Sequence, residues 1–172
     1  CVMSYGCDLG ILGANHARGI RRVYKANRSD KIWSEADITA FLNHATPEMA
    51  LAMLLALDTA QRQGDLIKLT WTQFTDDTIE LRQGKTNRLI KVPCTERLSK
   101  ALRSAPKRAI TILTGQRGRP WTSHGFRTEW HKTSVAAGVQ GRLTFHDLRG
   151  TAITRLAGAE CTVPEIVAIS GH

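Results

Sequence analysis

The sequence predicts an α+β fold that is mainly helical, with a small three-stranded antiparallel β-meander on one edge. Three observations carry that expectation. The chain has 172 residues, 42% of them hydrophobic, which is enough for one compact domain with a proper core and leaves little room for two. Capped helix starts recur along the chain, each followed by apolar residues at helical spacing. Between residues 71 and 92 that pattern gives way to short runs rich in β-branched and aromatic residues, separated by turn-forming polar residues.

The elements follow in order. Residues 1 to 31 are mixed and basic, with Arg18, Arg21, Arg22, Lys25, Arg28 and Lys31, and read as an arm or linker with a remnant helix at its start. Ser34 with Asp37 three residues on forms a capping-box pattern, and Ile38, Phe41 and Leu42 supply the apolar stripe of the helix it opens. Thr46 and Pro47 then start a second helix. Its residues Met49 to Ala60 are apolar nearly all round, so it belongs at the centre of the core. The strands are Trp71 to Thr75, Thr78 to Arg82 and Leu89 to Val92. Asp76-Asp77 makes the first turn, and Gln83-Gly84-Lys85-Thr86-Asn87 the second, with Gly and Asn available for positive φ. Further helices are expected over Glu96 to Ser104, from Thr122/Ser123 to Gly138, from Thr144 with Asp147 as capping partner, and from Thr162 with Pro164 and Glu165 in the first turn. Ile110 to Leu113 is either a short strand or a buried connector.

Charge narrows the function. There are 24 Lys+Arg against 15 Asp+Glu, a net charge of +9, which favours a polyanionic partner such as nucleic acid over a surface made basic for solubility alone. The longest uninterrupted apolar run, Met49 to Leu57, is too short to span a bilayer. No charged start followed by an apolar stretch marks a secretory signal. Cys1, Cys7, Cys94 and Cys161 form no Cys-x-x-Cys pair and suit neither zinc nor a disulfide framework, so a reducing cytoplasmic setting is expected.

Several residues have the chemistry to act on a phosphate. His146 and Arg149, three apart in Thr144-Phe145-His146-Asp147-Leu148-Arg149, fall on one face of a helix near its N-terminus, where anions are favoured. A solvated helix face would also produce that pair. Arg62 ends the nearly all-apolar helix, and a guanidinium there must either pair with a carboxylate such as Asp65 or face a cleft. Lys85 stands at a hairpin tip, where a lysine is normally solvated unless the tip folds over a substrate. His172 follows Gly171 at the end of a helical segment.

Taken together and in that chain order, Arg62, Lys85, His146, Arg149 and His172 resemble the catalytic set of the tyrosine recombinases, or phage integrase family. Thr59 to Leu66 is similar to the family's first-arginine motif, and Gln83-Gly84-Lys85-Thr86 to its hairpin lysine. His146-Asp147-Leu148-Arg149-Gly150-Thr151-Ala152 resembles its second-arginine box, and Ser170-Gly171-His172 its closing Gly-His. The resemblance implies a catalytic domain over residues 31 to 172, preceded by the end of a core-binding domain and a basic linker over residues 1 to 30. The family's nucleophile is a tyrosine a short helical segment beyond the last histidine. The only tyrosines here, Tyr5 and Tyr24, lie in the N-terminal arm. The expectation is therefore a catalytic domain that stops short of its nucleophile and is inactive by itself.

The resemblance also implies site-specific DNA recombination through a covalent 3′-phosphotyrosine, with no metal or other cofactor. The partner is double-stranded DNA, on which protomers assemble, and the setting is cytoplasmic and nucleoid-associated, for a protein of bacterial or phage origin. Neither a membrane nor a small-molecule substrate is expected. In that chemistry Arg62 and Arg149 clamp the non-bridging oxygens, since a guanidinium fork matches phosphate geometry, and His172 adds a hydrogen bond. Lys85 protonates the departing 5′-oxygen, and His146 handles the tyrosine proton or donates to phosphate. Asp65 orients Arg62 or His146. Two other readings compete. A helix-turn-helix regulator without chemistry explains the charge but neither Lys85 nor Arg62. A metal phosphohydrolase, prompted by His146-Asp147, lacks further ligands, because no aspartate follows Asp147. The aromatic-rich motifs of RNA-binding modules do not occur.

Overall fold

The computed structural model describes residues 2–20, 28–139 and 143–172. The basic residues Arg21, Arg22 and Lys25 and the tyrosine Tyr24 lie outside the described residues. Over the rest, the chain forms helices around a three-stranded antiparallel sheet of order β1-β2-β3, as the sequence predicts. No helix among the described residues is long and apolar enough to cross a membrane.

The short helix α1 (Val2–Asp8) buries no residue. Helix α2 (Glu35–His44) opens on Ser34, whose hydroxyl accepts from the Asp37 N–H (3.1 Å) while the Asp37 carboxylate accepts from the Ser34 N–H (3.3 Å). This reciprocal cap satisfies two otherwise orphaned donors. Ser34→Ala is expected to cost ~1 kcal/mol, read as a lower midpoint in urea denaturation with an unchanged slope.

Helix α3 (Pro47–Thr59) is the core element, capped by Thr46, with Leu51, Ala52, Met53, Leu55, Ala56 and Leu57 buried. It packs against α5 (Glu96–Ser104) and α7 (Asp147–Gly158). It stops earlier than its composition predicts. Ala60 takes a left-handed conformation (φ 53°), and Arg62 sits beyond it in extended backbone as the N-cap of the four-residue helix α4 (Gln63–Leu66). Arg62 therefore stands on a turn, not on the core helix.

The first predicted strand is also shorter. Trp71–Gln73 form a 3-10 turn, because the Gln73 side chain accepts from the Thr70 N–H (3.0 Å) and closes a cap around it. Only Phe74–Thr75 remain as β1. Strands β2 (Thr78–Arg82) and β3 (Leu89–Pro93) pair Ile79 with Val92 and Leu81 with Ile90, all four buried on the core face. Asp76 and Asp77 both take positive φ, the twist a two-residue hairpin needs. In the second turn Asn87 takes it (φ 55°) and Gly84 does not. Residues 110–113 are a connector, tied in by a single Thr70–Thr111 bridge.

Helix α6 (Ser123–Ala136) opens on Thr122, and α8 (Val163–Ser170) on Thr162 with Glu165 completing the box. Helix α7 starts three residues later than predicted. Asp147 does bond Thr144, accepting from both its N–H and its hydroxyl (2.7 Å each), but residues 144–146 form a tight turn bonded i to i+3. Phe145 in that turn enters an aromatic cluster with Phe126 and Trp130 of α6, which Phe41 of α2 and Trp33 complete. Cys7, Cys94 and Cys161 are free thiols.

Candidate active site

Three segments far apart in sequence meet beside the start of α7. The first is the turn after α3, carrying Arg62. The second is the Phe145–Arg149 turn and helix start. The third is the end of α8, where Gly171 takes a left-handed conformation (φ 71°) and turns the chain so that His172 faces back onto α7. An open cleft of about 240 Å³ at this junction is lined by Arg28, Lys31, His146, Arg149 and His172.

Arg149 is 5% exposed, rather than solvated on a helix face. Its Nη1 donates to the main-chain oxygen of Ala60 (2.7 Å), so the left-handed stop of α3 fixes the plane of the guanidinium. Its Nη2 lies 3.2 and 3.3 Å from the two ring nitrogens of His172. The Ser170 hydroxyl meets His172 Nδ1 at 2.9 Å. Neither Arg149 nor Arg62 has a carboxylate partner within 4.0 Å among the described residues. Arg62 Nη1 is buried with no hydrogen-bond partner in the protein, a donor whose desolvation is uncompensated.

The electrostatics follow from that crowding. Burial pushes Arg149 down to about 10, with Arg62 adding to the fall and Asp65 opposing it. Burial, then Arg149, then Arg62, hold the His172 imidazole below its ordinary value of 6.5. Arg149 can only donate, so the neutral ring, with a free nitrogen to accept, is the form the site favours. The sign for stability is definite. His172 binds fewer protons folded than unfolded, so its contribution is complete above pH 6.5 and is lost as pH falls through the lowered folded value. NMR of the imidazole is expected to show His172 neutral at pH 7, and to show its titration moving up when inorganic phosphate is added. A titration at or above the ordinary value without added anion contradicts this account.

Asp147, 4% exposed, also lines the cleft, beside Arg28. Arg28 grips it with two bonds, Nε to Oδ1 (2.9 Å) and Nη2 to Oδ2 (2.6 Å). Burial alone would raise the Asp147 carboxyl, but the bonds from Arg28 and Thr144 overcome it and hold the group below the usual carboxylate range. The neighbouring His146 is exposed and reaches the cleft rim.

Of the expected set, Arg62 and Lys85 lie outside the cleft lining; Lys85 is exposed at the β2–β3 tip. The base of that hairpin is held. Asp65 Oδ1 accepts from the Gly84 N–H (2.9 Å), so its visible partner is the hairpin backbone instead of Arg62 or His146. Asp65 Oδ2 is buried without a partner. Among the described residues, no group of three or more His, Cys, Asp or Glu side chains is placed to hold a metal ion.

Sequence reasoning missed four contributors. Arg28 reads as one more basic linker residue, because its partner is 119 positions away. Ala60 carries no chemical signature. Gln61 and Gln83 sit in polar turn sequences where a glutamine is unremarkable, yet both are 1% exposed.

Comparison with known proteins identifies the family and the shared fold. The profile of the phage integrase family matches residues 29–172. A shufflon-specific DNA recombinase of Escherichia coli is 34% identical over 126 residues, 69% of this chain and 30% of that protein. The integrase of Enterobacteria phage 434 is 27% identical over 141 residues, 74% of this chain and 35% of that protein. The chain thus spans about a third of the length of these curated relatives. The fold matches the lambda integrase catalytic core with a TM-score of 0.72 at 23% identity, covering 83% of this chain and 91% of that one. It matches XerA recombinase at 0.73 and 22% identity, covering 82% and 56%. With a profile match over most of its length and a shared fold, the chain belongs to the phage integrase family, the tyrosine recombinases.

Proposed function

We propose that this chain is the catalytic domain of a site-specific DNA recombinase that cuts and rejoins strands through a 3′-phosphotyrosine. Residues 31–172 form the domain, and residues 1–30 its approach from a core-binding domain. The nucleophilic tyrosine lies outside these 172 residues, C-terminal to His172. The observation that supports this reading is the convergence of buried, carboxylate-free Arg149 with His172 at a cleft, in the field of an Arg62 whose Nη1 has no partner. Buried cations without counter-ions are costly, and a phosphodiester is the ligand that repays them.

The chemistry assigned to each residue follows from its position. Arg62 Nη1 and the open edge of Arg149 bind the two non-bridging oxygens, where negative charge gathers as the tyrosine oxygen bonds to phosphorus. His172 becomes a donor to the same group once the anion restores its charge. Lys85 gives its proton to the 5′-oxygen as the phosphorus–oxygen bond breaks, and its exposed hairpin tip must swing in to do so. His146, at the cleft rim, takes the tyrosine proton or donates to phosphate. Asp65 steadies the hairpin through Gly84 and tempers the charge beside Arg149. None of these steps calls for a metal or other cofactor.

The DNA partner and the assembly are carried over as part of the proposal. Lambda integrase has been crystallised as a dimer on a core site and as a tetramer on a Holliday junction, with TM-scores of 0.74 and 0.75 to this chain. Duplex DNA, bound by several protomers in a bacterial or phage-infected cytoplasm, is the corresponding substrate here.

A nicked duplex and a denaturing gel test the reading. The 172-residue chain is expected to form no covalent adduct with DNA. The protein extended by its native sequence beyond His172 is expected to form one, unaffected by chelator. An adduct from the 172-residue chain, or none from the extended protein, contradicts the assignment.

A further inference from the structure

Gln83, the first residue after β2, is buried beneath the hairpin that carries Lys85. Every polar atom of its amide is used. Nε2 donates to Gln61 Oε1 (2.6 Å) and to the main-chain oxygen of Ser170 (2.8 Å). Oε1 accepts from the Thr86 hydroxyl (2.6 Å), which flanks Lys85 on the other side. Gln61 is equally occupied. Its Nε2 donates to the main-chain oxygens of Thr59 (2.8 Å), at the end of α3 before the Arg62 turn, and Ile169 (2.7 Å) in α8. The Gln83 amide also lies directly on Gly171, since a Cβ there would come within 2.5 Å of both its nitrogen and its oxygen. One side chain therefore touches all three segments that carry Lys85, Arg62 and His172.

Stability alone does not explain two glutamines here. Their bonds replace bonds to water and gain little, and an apolar pair of similar shape would fill the space at small cost. What such a network supplies that an apolar contact does not is direction, because each bond sets an angle as well as a distance.

We propose that Gln83 is a positioning residue that sets the register of the Lys85 hairpin against the Arg62 turn and the Gly171–His172 end. The inference rests on the recombinase reading above and names the coupling within its site. Thr86 to Gln83 fixes the stem of the tip, so that its motion delivers the Lys85 ammonium to one place. The bonds to Gln61 and Ser170 define that place relative to the phosphate-binding groups.

The test uses the extended protein, two variants and two substrates. Gln83→Met keeps the length and removes every polar atom. Gln83→Glu keeps the shape and the acceptor for Thr86, but turns the donor toward Gln61 and Ser170 into an acceptor. One substrate is an ordinary nicked duplex. The other carries a bridging 5′-sulfur at the scissile bond, whose thiolate leaves readily without a proton because thiols are far more acidic than alcohols. Single-turnover cleavage of the ordinary substrate at saturating DNA is expected to fall at least tenfold in whichever variant retains the wild-type melting transition, with DNA affinity within about twofold. Cleavage of the sulfur substrate is expected to fall less than threefold, as in a Lys85→Ala control, because what is lost is delivery of the proton. Equal losses on both substrates, or no loss on either, overturn the proposal. If the wild-type protein forms adduct on neither substrate, the recombinase reading fails instead. The placement of His172 by Gln83 is then decided by imidazole NMR of the 172-residue chain, where unchanged His172 signals in both variants overturn it and displaced signals uphold it.

Discussion

Arg149→Lys is expected to slow DNA cleavage by the extended protein by ~100- to 1,000-fold, equivalent to ~3–4 kcal/mol of transition-state stabilisation. The charge is formally kept, so the effect isolates geometry. Arg149 spends one edge on the Ala60 carbonyl and thereby points the rest of a rigid, planar fork at His172 and the cleft. A lysine offers a point charge on a flexible stem and makes one of those contacts at a time. Its protonation is also less secure. The burial and the Arg62 field that bring Arg149 down to about 10 act equally on a group whose ordinary value is about two units lower than arginine's. The variant's remaining activity is therefore expected to decline as pH rises above neutrality, because the protonated lysine is the active form. Single-turnover rates on a nicked duplex across pH, with melting curves as the control for folding, measure both effects. Near-normal turnover at pH 7 would mean that Arg149 only supports the fold.

Phe145→Ala is expected to destabilise the domain by ~3–5 kcal/mol, the usual cost of emptying a buried phenylalanine site. That corresponds to a fall in Tm on the order of 10 °C for a domain of this size. The ring is 4% exposed and meets Trp130 edge-on at 4.7 Å and Phe126 at 5.0 Å. Trp33 closes the cluster and donates its indole N–H to the Thr144 carbonyl (3.1 Å), so both residues before His146 are held from the core side. The surrounding helices α2 and α6 are pinned by the same rings and collapse poorly into the space. A residue that directly precedes His146 also transmits the loss. DNA cleavage should fall further than the unfolded fraction accounts for, even where the variant remains folded. Urea denaturation monitored by tryptophan fluorescence gives the stability. A loss under about 1 kcal/mol would mean the aromatic cluster repacks freely and does not hold the turn.

Much of the fold was legible because its signals are local. Ser34 with Asp37 and Thr162 with Glu165 satisfy donors within four residues, as the Thr46 hydroxyl does for the Met49 N–H, so the cap can be read from the sequence and the structure repeats it. Alternation of Ile79 with Leu81 and of Ile90 with Val92 likewise defines one buried face for each strand. The boundaries misplaced at the site involve contacts from far along the chain, whereas the first strand is shortened by the local Gln73 cap on Thr70. Helix α3 stops at Thr59, and the left-handed Ala60 that ends it holds Arg149 from 89 positions away. The α7 start slips to Asp147, a carboxylate also occupied by Arg28.

The candidate site divides in the same way. By itself the sequence determined the chemical types and their order, Arg62, Lys85, His146, Arg149 and His172. It also determined the net charge of +9 that favours an anionic partner and the caps that begin most of the helices, because composition and short-range hydrogen bonding need no partner from elsewhere in the chain. Only the tertiary structure decided that Arg149 is buried and not solvated, that Asp65 holds Gly84, that Arg28 belongs to Asp147, and that two glutamines join the hairpin to the end of α8. Each of these depends on desolvation or on a bond between segments 19 to 119 residues apart. Whether a polar group is paired, strained or left open for a phosphate is a property of the surroundings that packing creates, and those surroundings do not exist until the chain has folded.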